Sequence, residues 1–81
     1  MAGVRVVFLG PLRDLAGRAE LETPAPLDWA GLLARVGPEV AAQLTQKRVN
    51  VACAGHVLAD KTVLNAGEGD EVALLPPVSG G

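Results

Sequence analysis

The residues best placed to do chemistry in this 81-residue chain are its last two, Gly80 and Gly81. They follow Pro76-Pro77-Val78-Ser79 and stand at the very end of the sequence. Glycine has no Cβ, so a Gly-Gly arm passes through a channel too narrow for side chains. The one reactive group at its tip is the α-carboxylate, whose reference pKa of about 3.3–3.7 leaves it ionised at neutral pH. A carboxylate presented in this way is a group that other proteins can activate, with the rest of the chain as its handle. The bland alternative is a frayed end, the ordinary fate of glycine-rich termini. Against fraying stand the stiff, extended Pro76-Pro77 exit and the absence of any polar stretch after the glycines. Physics alone leaves both readings open.

The other reactive side chains form no constellation. One cysteine, Cys53, and one histidine, His56, cannot supply the three or four protein ligands of a zinc site. His56 reads as a solvated hairpin residue. Cys53 reads as a small core residue, with no base and orienting group to make it a nucleophile. Gly67-Glu68-Gly69-Asp70 looks superficially like a phosphate loop. It leads into a strand rather than a helix, however, and its acidic residues repel phosphate, so it reads as a turn.

Composition narrows the classes further. At 81 residues the chain is one domain, burying little more than about 60% of its unfolded surface. Hydrophobic residues make up 49% and aromatics 2%, which predicts a core of Val, Leu and Ala rather than a disordered chain. A net charge of −2, with basic residues scattered singly or in the pair Lys47-Arg48, argues against nucleic acid. No run approaches the roughly 20 apolar residues of a membrane span. The lone cysteine and an N-terminus without a signal-peptide layout point to the cytoplasm.

Several elements must position the arm. Val4–Leu9 is rich in β-branched residues and predicts a first strand, with Val4, Val6 and Phe8 on one face and Arg5, Val7 and Leu9 on the other. Leu12–Gly17 predicts a single helical turn closed by glycine. Ala19–Thr23 alternates and predicts a second strand, ended by Pro24 and Pro26. Asp28 is a candidate N-cap for a helix Trp29–Val36, whose Trp29, Leu32, Leu33 and Val36 have the spacing of one buried face. Gly37-Pro38 stops it, and Glu39–Gln46 predicts a second short helix with Val40 and Leu44 inward. Val49–Cys53 and His56–Leu58 predict a hairpin around Ala54-Gly55. Lys61–Asn65 reads as a connection, and Glu71–Leu75 as the last strand.

The order predicts an α+β roll: a mixed sheet of about five strands with one main helix on one face. The apolar first and last strands suit central, parallel positions. Residues 1–75 form the domain and 76–81 the extended tail. By strand parity Leu75 faces outward with Val7 and Leu9, which places an apolar patch at the base of the tail.

These residues resemble a known family. Gly-Asp-Glu-Val-Ala-Leu-Leu-Pro-Pro-Val-Ser-Gly-Gly, residues 69–81, is similar to the C-terminal signature of molybdopterin synthase small subunits. Val6-Val7-Phe8-Leu9 followed by Leu12-Arg13-Asp14-Leu15 resembles that family's opening segment, and the likeness spans essentially the whole chain. Gly-Gly alone is less specific, since thiamine-pathway sulfur carriers and ubiquitin-related modifiers share it. One departure is Ala54-Gly55, where the family often has Asn-Gly.

The resemblance implies a β-grasp, ubiquitin-like fold and a sulfur carrier of molybdenum cofactor biosynthesis. A ubiquitin-activating-type adenylyltransferase would consume ATP to adenylate Gly81, and a sulfurtransferase or other sulfur donor would convert it to a thiocarboxylate. The tail, with Val78, Ser79 and Gly80 leading to Gly81, would enter the large subunit of the synthase. There the sulfur passes to cyclic pyranopterin monophosphate. Leu75 and Leu9, and more weakly Val7, would lie in the hydrophobic contact with partners. By the same resemblance the assembly is a heterotetramer, the carrier binds no permanent cofactor, and catalytic groups sit on the large subunit. A carrier for another pathway, such as thiamine or cysteine synthesis, or a protein modifier, are the rival expectations.

Overall fold

The computed structural model of the chain describes residues 3–77. It opens on strand β1, Val4–Phe8, where the β-branched run alternates strictly: Val4, Val6 and Phe8 are buried, Arg5 is exposed and Val7 half-buried. Gly10, at φ 55° and ψ −133°, turns the chain off the sheet. Helix α1, Pro11–Ala16, follows, with proline at its first position and Gly17 in the left-handed region at its end. The Gly17 N–H donates to the Arg13 carbonyl at 3.0 Å, and Leu12 anchors the turn in the core.

Strand β2, Glu20–Thr23, and the two-residue β3, Leu27–Asp28, lead into α2, Trp29–Val36. Asp28 caps this helix as its sequence suggests: its Oδ1 accepts the Gly31 N–H at 2.8 Å. Helix α3, Pro38–Leu44, buries Val40 and Leu44. Strand β4, Asn50–Cys53, turns through Ala54 and Gly55, both at positive φ, into β5, His56–Val57. A 3-10 turn at Lys61–Val63, strand β6 at Asn65–Ala66 and strand β7 at Glu71–Leu75 complete the described chain.

The main sheet has the order β2-β1-β7-β4-β5. The first and last strands are neighbours and parallel, with Val6 level with Val72 and Phe8 with Leu74. Every other pairing is antiparallel, so the sheet is mixed, as the sequence predicts. Its core face carries Val4, Val6, Phe8, Val51, Val72 and Leu74, all 2% exposed or less.

Among the described residues three helices supply the cover, the predicted turn α1 and short helix α3 beside the main helix α2, and this sets the burial of α2. Of its four predicted core residues only Leu32 is fully buried; Trp29, Leu33 and Val36 are half-buried at the rim because α3 takes part of the space. The predicted connection at Lys61–Asn65 also contains structure. Asn65 pairs with Asp28 and Ala66 with Leu27, forming a second sheet of two short strands that fastens the start of α2. Strand ends differ from the sequence reading by a residue: Leu9, Ala19, Val49 and Leu58 lie just outside their strands.

Lys61 closes the structure on the helix side. Its Nζ donates to the carbonyls of Gln46 and Val49, the latter at 2.6 Å, and lies 6.0 Å from the centroid of the Trp29 ring. One ammonium thereby satisfies two loop carbonyls and sits against an aromatic face. Burial pulls its pKa below the ordinary lysine value.

Candidate functional site

β7 aims the candidate arm. Glu71–Leu75 is a strand because Val72, Ala73, Leu74 and Leu75 form an apolar run that fits between two other strands. Val72 and Leu74 are fully buried, whereas Ala73 and Leu75 are half-buried on the opposite face. Leu75 therefore points outward, as parity requires. Pro76 follows half-buried and Pro77 exposed. Val78, Ser79, Gly80 and Gly81 lie outside the described residues.

Val7 and Leu9 share the outer face with Leu75. Val7 is half-buried and Leu9 is 39% exposed. Because β1 and β7 are parallel, Leu9 and Leu75 leave the sheet at the same end, one residue beyond the Phe8–Leu74 pair. The structure thus brings together all three apolar residues that the sequence reading assigned to the patch.

Register extends the patch across the sheet. Val7 stands beside Ala73, Ala73 beside Ala52, and Ala52 beside Val57, which is 60% exposed. Val57 was not among the predicted patch residues. Its apolar side chain next to the exposed His56 was a visible signal, but only the order β1-β7-β4-β5 puts it in line with Val7. Two small alanines between larger residues leave a shallow, flat centre.

The other half of this face is charged. Glu22, Arg5 and Glu71 form the next row, and Glu20 lies beside Val7. Arg5 approaches Glu20 and Glu71 at 3.9 Å each, with all three side chains more than half exposed. Contacts this long and this solvated contribute little to stability. The cleft lined by Gly3, Arg5, Glu22, Gly69, Asp70 and Glu71, of about 340 Å³, sits at the far end of the strands from the tail.

The remaining reactive groups are accounted for. In the Gly67–Asp70 turn the Gly67 N–H donates to the Asp70 carboxylate at 2.8 Å, the Asp70 N–H to the Gly67 carbonyl at 3.0 Å, and the Gly69 N–H to the Gly3 carbonyl at 2.9 Å. Amides already engaged in this way cannot cradle a phosphate, so the turn reading holds. Cys53 stands level with Val72 on the core face, near the end of its strand, and is half-buried rather than fully so. Burial, and then the negative charge of Asp70, push its thiol above the ordinary cysteine value. That is the opposite of what a nucleophile needs. His56 is exposed on β5. Among the described residues no three His, Cys, Asp or Glu side chains gather to hold a metal ion, and no helix is long and apolar enough to cross a membrane.

A face with an apolar band, next to a strand that runs into Pro76-Pro77, can dock a protein. Comparison with known proteins gives the family and the fold. The chain matches the ThiS family over residues 6–81. Among solved structures it is similar to small archaeal modifier protein 1 of Methanosarcina acetivorans. That pair is 26% identical over 100% of this chain and 98% of the other, with a TM-score of 0.72. It is equally similar in sequence to a chain in the complex of subunits 1 and 2 of the Helicobacter pylori molybdopterin-converting factor: 26% identity, 96% and 97% coverage, TM-score 0.65. A Haloferax volcanii protein solved in solution, 22% identical over 96% of this chain and 85% of its own, shares the fold with a TM-score of 0.74. No curated protein sequence gives a significant match.

Proposed function

This chain belongs to the ThiS family and has the β-grasp fold shared by sulfur carriers and ubiquitin-like modifiers; from that premise we propose that it is a sulfur carrier of molybdenum cofactor biosynthesis. The observation that carries the reading is the continuity of three features along one line of chain. An outward Leu75 beside Leu9 and Val7 forms the docking patch, Pro76-Pro77 forms the stiff exit, and Val78-Ser79-Gly80-Gly81 is the sequence delivered beyond it.

The chemistry follows from the terminus. A carboxylate is a poor electrophile until one of its oxygens belongs to a good leaving group. A ubiquitin-activating-type adenylyltransferase joins the Gly81 carboxylate to the α-phosphorus of ATP and releases pyrophosphate. Sulfide-level sulfur then attacks the carbonyl carbon and displaces AMP, leaving a thiocarboxylate; a persulfide donor first forms an acyl disulfide, which a second thiol of the donor cleaves as it forms a disulfide. A side chain on Gly81 would crowd that attack, and one on Gly80 would block threading. Within the large synthase subunit the sulfur passes to cyclic pyranopterin monophosphate. In this reading the carrier holds no permanent cofactor and needs no acid or base of its own, because its partners supply them. Work of this kind belongs in the cytoplasm, where the activating enzyme and ATP are found.

Two observations favour this pathway: the Pro-Pro-Val-Ser ending before Gly-Gly, and the similarity to a chain of the Helicobacter pylori converting-factor complex. The similarity to an archaeal modifier protein supports a second reading, in which the activated terminus is joined to other proteins. Incubation with an adenylyltransferase, ATP and a sulfur donor separates them. The carrier reading expects the intact mass to rise by the difference between a sulfur and an oxygen atom. It also expects the product to convert cyclic pyranopterin monophosphate when the large subunit is added. Formation of amide-linked conjugates with no thiocarboxylate would establish the modifier reading in its place.

A further inference from the structure

β1 and β7 leave the sheet side by side at the same end. The two chains part at Gly10. With φ 55° and ψ −133°, a combination that residues bearing a Cβ rarely adopt, Gly10 swings the β1 chain away to the helix side and clears the lane beside β7.

The corner it makes is firm. The Leu12 N–H donates to the Leu9 carbonyl at 3.1 Å, and the Arg13 N–H donates to the Gly10 carbonyl at 3.0 Å. Pro11 fixes the next φ, and Leu12, 3% exposed, pins the turn into the core. Pro76, the first residue of the arm, lies beside this corner. A Cβ placed on Gly10 would lie 3.2 Å from the Pro76 Cγ, tighter than ordinary contact, and among the described residues no other atom outside its chain neighbours comes within 4 Å of that point. A proline ring is a stiff lever, because its own φ is locked and whatever displaces it redirects the chain that follows.

We propose that Gly10 is a positioning residue for the C-terminal arm: the space left by its missing Cβ is the seat of the Pro76 ring, and this close approach sets the direction in which the chain leaves β7 at Pro76. The inference rests on the sulfur-carrier reading for its consequence in transfer, though not for the contact itself. Gly10 touches neither sulfur nor substrate and acts through Pro76 alone. Its effect therefore falls on how readily the arm finds the entrance of the large subunit. Once the glycines are threaded, their own freedom and the large subunit's pocket set the reacting geometry.

The test compares thiocarboxylated wild type, Gly10→Val, Pro76→Ala and the double variant in sulfur transfer to cyclic pyranopterin monophosphate by the large subunit, with thermal melts alongside. Gly10→Val is expected to raise the KM for the carrier on the order of tenfold at nearly unchanged kcat. In the Pro76→Ala background the same substitution is expected to add less than about twofold, because its lever is gone. Equal losses in both backgrounds, or a loss in kcat in place of KM, would show that Gly10 acts only through the fold. Where Gly10→Val does not fold, Gly10→Ala carries the same comparison with a smaller shift. Nuclear Overhauser cross-peaks between Gly10 Hα and Pro76 Hγ, and residual dipolar couplings of the Val78 N–H, read the contact without any sulfur chemistry. Absent cross-peaks, or couplings unmoved by the folded Gly10 variant, overturn the proposal. A wild type that transfers no sulfur, with those NMR signatures present, overturns the carrier reading and leaves the seat intact.

Discussion

Leu74 and Leu75 are chemically identical neighbours that the sheet assigns to opposite faces, so truncating each in turn separates folding from docking. Leu74 is 0% exposed in the core between Phe8 and Val51. Leu74→Ala removes buried methyl groups and leaves a cavity, a loss of about 2–5 kcal/mol. A chain of 81 residues has a total stability of roughly 4–12 kcal/mol at ~0.05–0.15 kcal/mol per residue. The variant therefore loses a large share of its stability, and its melting temperature falls by more than about 10 °C. Leu75 is partly exposed on the outer face, so at most about a third of its side chain is still available for burial by a partner. Taking about 1.5–3 kcal/mol for complete burial of leucine, the share left for a partner is about 0.5–1 kcal/mol. Leu75→Ala should then weaken the complex with the large synthase subunit roughly two- to fivefold, since 1.4 kcal/mol is about one decade in Kd. Urea titrations give the stabilities, and isothermal titration calorimetry gives the affinities. Equal destabilisation by the two substitutions would refute the facing of β7. An unchanged Kd for Leu75→Ala in a folded protein would refute the patch as a docking surface.

Three further outcomes are expected. Deleting Gly81 should abolish thiocarboxylate formation, read by intact mass, while leaving the melting temperature unchanged; a fully active deletion would remove the basis of the carrier reading. Ala54→Asn should stabilise the protein by about 0.5–1 kcal/mol in urea, because Ala54 sits at φ 52° and asparagine tolerates that region better than alanine. Finally, Cys53 should react with iodoacetamide at mildly alkaline pH more slowly than a free peptide thiol, and Asp70→Asn should speed it up. Burial and the Asp70 charge both raise the thiol pKa and reduce the thiolate. A raised folded value also means that this group's contribution to stability is fully present below the ordinary thiol pKa. It is lost as the pH rises through the folded one, so alkaline pH weakens the wild type more than Cys53→Ala.

Much of the frame was legible because it is written in local periodicity. The alternation in Val4–Phe8 and Glu71–Leu75 gave both strands and the facing of Val7 and Leu75, since a pleated strand sends neighbours to opposite sides. Asp28, Gly17 and Gly37-Pro38 marked helix ends through capping chemistry that acts within one turn. Less legible was the burial of α2. Its spacing gave a stripe, but how deep Trp29, Leu33 and Val36 sit depends on α3 and on Lys61 against the Trp29 ring, both remote in sequence. The pairing of Leu27-Asp28 with Asn65-Ala66 was hidden for the same reason, as two residues carry no period of their own.

The sequence by itself held the candidate arm: Gly-Gly behind Pro-Pro-Val-Ser, and by strand parity a leucine on the outer face at its base. These are properties of residue types and of nearest neighbours, and no fold can add or remove them. Only the tertiary structure decided what surrounds the arm. Strand order carried the patch from Val7 through Ala73 and Ala52 to Val57, and the parallel exit of β1 and β7 set Pro76 against Gly10. Apart from the Ala52–Val57 hairpin pair, those neighbours are tens of positions apart in sequence, and they are chosen by how the whole apolar face is buried rather than by any local preference.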